Sequence, residues 1–234
     1  MLAASPSPSQ FDLAITDLVR KTQCRPVEGQ EFEDVCRLRY DSYRREGALP
    51  QDAPRRFSDR FDDELNTRTF GLFIEGRLAS SIRIHHVSRE SPDHPSLHVF
   101  PEYLRPLIDN GRVLIDNTRF VVDFDASRSH PKLPYVTVRL VYMAGAWFQA
   151  DVVLAAVRTE HQAFYRRLSG HREVCPARPY PMLAKPISLM ALNYKEERVR
   201  LERRHGFIAS SHVERRACFQ GMSAVDAVSE GMVA

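Results

Sequence analysis

Apolar residues along the chain alternate between helical and strand-like spacing. Phe11, Ile15 and Leu18/Val19 share one helical face, and Phe32, Val35/Cys36, Tyr40 and Tyr43 mark another; the second helix is predicted over residues 31–45, stopped near Gly47. Residues 69–74 and 78–84 flank Glu75-Gly76, the pattern of a β-hairpin. Residues 113–122 read as a further strand. Residues 152–157, an unbroken run of small and β-branched apolar side chains, read as a strand buried on both faces. Between those two strands, residues 125–134 read as a loop. Pro134 suits the first turn of a helix that runs to about Gln149.

Thr159 and Gln162 fit a capping box that opens a helix through Leu168, with Gly170 behind it. Prolines punctuate residues 175–186, a strand-like PISLMAL follows, and residues 194–204 form a charged helix. Residues 50–56 are loop, and residues 91–106, with four prolines, read as an irregular connection holding at most one helical turn. The reading is a single α/β domain over residues 11–206, with a mixed sheet flanked by helices. A loose leader (1–10) precedes it, and a C-terminal extension without clear period (207–234) follows.

Composition narrows the function. With 43% hydrophobic residues in 234, the chain can fill one sizeable core. A formal net charge of +3 is too small for a nucleic-acid protein, and the bases of the 194–204 helix are interleaved with Glu196, Glu197 and Glu202. Cys24, Cys36, Cys175 and Cys218 stand apart, which argues against a metal site or a disulfide framework and for a reducing compartment. The N-terminus has no signal-peptide pattern, and no apolar run reaches the ~18 residues of a membrane span. A cytoplasmic protein is expected.

Several polar residues interrupt apolar patterns. Arg39 lies on the stripe of its helix, where it either snorkels or meets a buried anion. Asp59 and Asp62 in DRFD supply clustered carboxylates. In IDNTRF, strict alternation would set Asp116 and Arg119 on opposite faces, whereas a β-bulge between them would bring both to one. His161 and Tyr165 sit one helical turn apart, either able to donate a proton to a leaving group. The loop DFDASRSHPKL has no glycine, so it is a poor cradle for a pyrophosphate. Arg128 and Lys132 within it, with Arg139 just beyond, make a landing patch for an acidic protein.

Together these pieces resemble the N-acyl amino acid synthases, relatives of the acyl-homoserine lactone synthases on the N-acetyltransferase (GNAT) fold. The likeness is carried by Arg39 and Tyr43 in RLRYDSY, Asp59 and Asp62 in DRFD, Arg83 in SSIRI, Asp116, Arg119 and Phe120 in DNTRF, and the stretch from HQAFYRRL to ARPYP. The lactone synthases typically carry Glu at the place of Asp116 and a Trp after the first helix, where this chain reads REGALPQ. The resemblance implies an acyl thioester on a phosphopantetheine arm, supplied by acyl carrier protein or coenzyme A, and an amino acid as acceptor. It further implies that the arm enters where the strands at 113–122 and 152–157 splay, with backbone N–H groups near Arg119 holding the thioester oxygen. Asp116 would accept the amine proton, and Tyr165 or His161 would protonate the thiolate. Arg39 and Arg119 would bind the substrate carboxylate or pair with Asp59 and Asp62. Rival readings are a coenzyme A-dependent N-acetyltransferase, a lactone synthase, and an inactive lipid- or nucleic-acid-binding domain.

Overall fold

The computed structural model describes residues 9–50 and 52–222. Helix α1 (Gln10–Lys21) starts at Ser9, whose hydroxyl accepts the Asp12 N–H at 3.1 Å. Strand β1 (Thr22–Pro26) follows directly and was not expected: its five residues lack a clear alternation, and pairing with the next strand defines them. Helix α2 (Gly29–Arg45) matches its stripe. Strands β2 (Thr67–Ile74) and β3 (Arg77–Val87) form the expected hairpin. Its two turn residues, Glu75 and Gly76, both have positive φ, 50° and 75°, which matches the right-handed twist of the flanking strands.

Residues 91–106, expected to be irregular, instead hold two helices, α3 (Pro95–Val99) and α4 (Pro101–Asp109). Pro95 and Pro101 sit in first turns, where no N–H is needed, and so start helices rather than break them, while Pro106 lies inside α4. Strand β4 (Leu114–Val122) is followed by helix α5 (Phe124–Ser129) where a loop was expected; the Asp123 carboxylate accepts the Ala126 N–H at 2.9 Å and nucleates it. Helix α6 (Leu133–Trp147) and strand β5 (Val152–Val157) agree with the pattern.

The expected capping box at Thr159 is absent. A 3₁₀ turn spans Thr159–His161, and α7 (Gln162–Ser169) begins with Gln162 donating to Ser188 Oγ at 2.8 Å. A strong tertiary partner outcompetes the local cap. Strand β6 (Arg172–Tyr180) runs through Pro176 and Pro179, which is tolerable because it is the sheet edge. It turns into β7 (Leu183–Asn193), then α8 (Tyr194–Arg204) and, after a short 3₁₀ turn, α9 (His212–Phe219).

The seven strands form one sheet in the order β1-β2-β3-β4-β5-β7-β6. All neighbours are antiparallel except β4 and β5. That parallel pair lasts only from Leu114↔Val152 to Asn117↔Ala155. Beyond it, β4 stays with β3 as far as Ser80↔Val122, while β5 stays with β7 as far as Val157↔Ser188. The two strands part and leave a wedge in the middle of the sheet.

Helices α1, α6 and α9 cover one face, burying Phe70, Ile82, Ile84, Ile115 and Val153 in the main core. Helices α2, α3 and α4 cover the other, where β3 and β4 present Arg83, His85, Asp116 and Thr118. Past residue 206, the expected end of the domain, Phe207, Ile208, Cys218, Phe219 and Met222 are buried in the same core; residues 223–234 and most of the leader, 1–8, lie outside the described residues. Phe219 packs edge-on against Phe70 and Phe148 at centroid distances of 5.4 and 5.9 Å. Among the described residues, no helix is long and apolar enough to cross a membrane.

Truncating Phe219 to Ala should therefore lower the unfolding free energy by ~3–5 kcal/mol, as for other fully buried aromatics. Urea denaturation of the variant checks this; a loss below ~1 kcal/mol would mean that α9 is not part of the core.

Candidate active site

The site begins with an irregularity in β4. Thr118 pairs with Arg83 and Val121 with Ser81, so Arg119 and Phe120 together oppose Ile82. This is a β-bulge, and it holds Arg119 at φ 55°, a left-handed conformation that costs a non-glycine residue about 1–2 kcal/mol. The bulge brings Arg119 to the face that already carries Asp116, as expected, so that both act on the buried Tyr180 hydroxyl.

Arg119 is held in this conformation by a buried charge cluster. The DRFD segment folds into a 3₁₀ turn, Arg60–Asp62, closed by a capping box between Asp59 and Asp62. Both carboxylates then point at the sheet. Asp62 receives Arg39 Nη1 at 2.9 and 3.0 Å and Arg83 Nη1 at 3.1 Å. Asp59 receives Arg83 Nη1 at 2.6 Å and Arg119 Nη2 at 2.5 Å. Arg39 also donates to Thr69 Oγ1 at 3.1 Å and Arg83 to Thr118 Oγ1 at 3.0 Å. Arg39 and Arg83 are fully buried and Arg119 nearly so. The snorkelling reading of Arg39 is thus excluded. Burial alone would raise the pKa of Asp59 and Asp62, but the adjoining guanidiniums outweigh it and hold both carboxyls below their usual range. Three guanidiniums share two carboxylates, leaving one buried positive charge. Burial and Arg83 beside it push the His85 pKa well down, so this imidazole, hydrogen-bonded to Thr67 and Thr118, is neutral.

The wedge between β4 and β5 opens into a cavity of about 450 Å³, walled by residues 117–122 of the bulged strand, Tyr43 of α2, Phe124 of α5, Phe164 and Tyr165 of α7, and Leu183 and Ile187 of β7. Tyr43 is steadied by an edge-on contact with Phe57 at 5.0 Å, and the Arg119 guanidinium lies over the same ring at 4.6 Å. Arg45, Arg158, His161 and Lys185 bring cationic and polar groups to the lining. Of the residues singled out from the sequence, Tyr43, Arg119, Phe120, His161 and Tyr165 line this cavity, whereas Arg39, Arg83, Asp59, Asp62 and Asp116 stand behind its wall.

Asp116 is completely buried and does not line this cavity. One oxygen accepts from His94 Nδ1 at 2.8 Å; the other has no hydrogen-bond partner among the described residues. Sequence reasoning missed His94, because it lies between prolines in SPDHPS, outside any periodic segment. It also left Tyr180 of ARPYP without a role. Tyr165 is buried against the cavity, and burial raises its pKa, so it keeps its proton. Desolvation and Arg158 lower the pKa of the exposed His161, leaving it neutral. Of the two proposed acids, only Tyr165 reliably carries a proton near pH 7.

The model of the FeeM family, N-acyl amino acid synthase FeeM, matches residues 34–193. The chain belongs to this family. As a FeeM-family member it is an acyltransferase. The solved structure of FeeM, an N-acyl amino acid synthase from uncultured soil microbes, is similar with a TM-score of 0.62 at 19% identity, over 76% of this chain and 93% of that one. The acyl-homoserine lactone synthase LasI is similar at 0.59 and 13% identity, over 82% and 97% of the two chains. MesI, a CoA-dependent acyl-homoserine lactone synthase, is similar at 0.53 and 16% identity, over 82% and 98%. At these identities the likenesses show a common fold, the GNAT-like sheet. The comparison with curated proteins gives no match.

In this FeeM-family protein the three basic residues expected to meet a carrier do not act together. Arg128 is exposed and Lys132 half-buried. Arg139 is the correction: its Nε donates to Phe207 O at 2.6 Å and its Nη2 to Ala209 O and Glu214 at 2.9 Å. It anchors the C-terminal segment, with Nη1 also donating to Met143 Sδ at 2.9 Å, so its guanidinium is held against the protein's own groups. From sequence, only its place just beyond the basic loop was visible.

Removing a carboxylate from the cluster should cost more than removing a guanidinium. Asp62→Asn leaves three guanidiniums and one carboxylate, and should destabilise by ~3–5 kcal/mol, as for other broken buried pairs. Arg119→Met leaves Asp59 paired with Arg83 and the cluster neutral, so it should cost clearly less. Equal losses in denaturant titrations would contradict the charge count. A second expectation concerns pH. Burial lowers the His171 pKa to about 3 and pushes His85 well down, while an unfolded histidine titrates near ~6.5. Both depressed groups contribute stability that is present above pH ~6.5 and lost as pH falls below it. The unfolding free energy should drop by ~2–4 kcal/mol between pH 6.5 and 5. A flat profile over that range would show that these imidazoles are not held neutral.

Proposed function

We propose that this acyltransferase moves a long-chain fatty acyl group from the thioester of an acyl carrier protein to the amine of an amino acid. The observation that carries the reading is the cavity in the wedge between β4 and β5: aromatic and aliphatic along its depth, with cationic groups in its wall, and bounded by the bulge. An acyl chain suits the apolar walls. The phosphate of a phosphopantetheine arm suits Arg45, Arg158 and Lys185. In the bulge, Arg119 and Phe120 share the one opposite residue Ile82 and the regular ladder is interrupted, so a backbone N–H there is offered to the carbonyl oxygen as charge develops on it.

The reaction breaks the thioester C–S bond and forms an amide C–N bond, while the amine gives up protons. Asp116 is the base in this reading. Being buried, it receives the proton by relay through Tyr180, whose hydroxyl feels the Asp116 charge and borders the cavity. Tyr165 acts by donating a hydrogen bond to the departing sulfur. With a pKa above the ~10 of free tyrosine it is a weaker acid than a thiol near ~8.5, so the sulfur takes its proton finally from the reacting amine. His161, neutral and exposed, is a bordering residue. Arg39, Arg83, Asp59 and Asp62 shape the wall, and the cluster's surplus positive charge, presented by Arg119, favours an acceptor that carries a carboxylate.

Acyl carrier protein is the preferred donor because α5, with its side-chain cap, occupies the place where a coenzyme A enzyme needs a glycine-rich turn for the pyrophosphate. Arg128 and Lys132 on this side would draw an acidic carrier by long-range charge.

Asp116→Asn should lower turnover by roughly 10²–10⁴-fold, the range for one general base; wild-type turnover in the purified, folded variant would remove Asp116 from the mechanism. Arg128→Glu with Lys132→Glu should reduce kcat/KM for acyl carrier protein at low salt while sparing kcat, and wild-type kcat/KM should fall as salt shortens the screening length to ~8 Å. Equal efficiency with acyl-coenzyme A, insensitive to salt and to the double reversal, would overturn the carrier-protein donor.

A further inference from the structure

Cys24 and Cys218 lie at opposite ends of the chain, and both fall outside residues 34–193 that match the family model. The fold nevertheless sets them side by side. Cys24 is the middle residue of β1 and pairs with Leu72 of β2, so the two side chains share a face of the sheet, and Leu72 is buried in the main core. Arg68 and Phe70 follow the same alternation and lie on that face too. Helix α9 crosses there: Phe219 packs on Phe70, and Arg68 Nη1 donates to Cys218 O at 2.8 Å and to Gln220 O at 3.0 Å. Cys218 is buried in the core cluster against which Cys24 packs, and the two thiols are hydrogen-bonded, with Cys24 donating. We propose that Cys24 and Cys218 are a redox modification site, where a hydroperoxide converts the two thiols to a reversible disulfide that ties α9 to β1.

The pair is chemically suited to that step. A thiol reacts as its thiolate. The hydrogen bond from Cys24 holds the Cys218 thiol below its usual range against the opposing effect of burial, and the charges of Arg139 and Arg68 help it. The same bond, together with burial, pushes Cys24 well up, so the pair ionises once and keeps one proton between its two sulfurs. Cys24 is half-buried and Cys218 buried, so solvent meets the pair at Cys24. Transfer of the shared proton to Cys218 puts the thiolate there. The Cys24 sulfur attacks one peroxide oxygen: an S–O bond forms, the O–O bond breaks, and the other oxygen leaves as an alcohol or water with a proton from solvent. The Cys218 sulfur then attacks Cys24 Sγ as its own proton leaves. The S–S bond forms, the S–O bond breaks, and water departs. Two thiols lose two electrons, and the hydroperoxide gains them.

The arrangement favours this pairing over any other. A disulfide places its sulfurs ~2.05 Å apart, and thiols already in contact need only a short further approach. Cys36 on α2, and Cys175 in the cluster with Leu97 and Leu104, lie on the other side of the sheet. In reducing surroundings the free thiols are the resting form, and pairs of this kind respond to oxidant rather than act as permanent staples. The bond would close nearly the whole chain into one loop and so restrict the unfolded state. It lies on the face opposite the buried charge cluster, so the chemistry of the wedge is left alone.

The test uses the full-length protein, reduced and then exposed to hydrogen peroxide. After alkylation in denaturant and proteolysis, mass spectrometry should find the Cys24 and Cys218 peptides joined, with Cys36 and Cys175 alkylated. Oxidation should raise Tm by about 5–10 °C; dithiothreitol should reverse the rise, and turnover should be unchanged. Cys24→Ser and Cys218→Ser should each abolish the rise. Each variant is compared with its own reduced form, so a lower starting Tm does not affect the reading. Sulfinic acid at either cysteine, a cross-link to Cys36, Cys175 or a second copy, an unchanged Tm in oxidised wild type, or a rise that survives either substitution would overturn the site.

Discussion

Five buried side chains constrain the rest of this protein: the guanidiniums of Arg39, Arg83 and Arg119 sharing the carboxylates of Asp59 and Asp62. Ions cannot be left unpaired inside a protein without a penalty of several kcal/mol each. The elements that carry them therefore have little freedom. Helix α2 must lie across the sheet so that Arg39 reaches Asp62, and the DRFD turn must close so that both carboxylates face β3. Strand β4 must bulge so that Arg119 arrives on the same side. The cluster ties four segments together where apolar contacts alone would allow several arrangements.

The bulge and the parting of β4 from β5 are two consequences of one departure from regular pairing. Four paired residues hold the parallel strands together, and then each follows its antiparallel neighbour. A sheet that stayed paired would have no cavity at its centre. Because it opens, the backbone of β4 borders a cavity lined from α2, α5, α7 and β7, with chemistry supplied from both sides. The surplus charge of the cluster stands on one side, and the Asp116–His94 pair behind it. Neither charged group needs to meet solvent, and Tyr180 and Arg119 are the points at which they reach the cavity.

Much of the fold was legible in the chain. Helical stripes placed α1 and α2, a first-turn proline placed α6, the charge pattern placed α8, and an unbroken apolar run placed β5. The interruption of an apolar strand by Asp116 and Arg119 marked the bulge, because alternation could not otherwise put both on one face. Motif order pointed to the family. Less was legible where local signals have two readings. Pro95 and Pro101 in residues 91–106 looked like breakers and turned out to be helix starts, and the prolines in β6 are tolerated because that strand is the sheet edge.

The sequence by itself determined the periodic elements, the residue types of the site and the family, since these depend on neighbours a few positions away and on motif order. Only the tertiary structure decided which charge meets which. Arg39 faces Asp62, 23 positions along the chain, and Arg119 faces Asp59, 60 positions back. Arg139 is spent on carbonyls 68 and 70 positions ahead, and Asp116 finds its partner in a proline-rich segment with no pattern of its own. The energy of a buried ion depends on what surrounds it within a few ångströms, and that neighbourhood exists only once the chain has closed on itself.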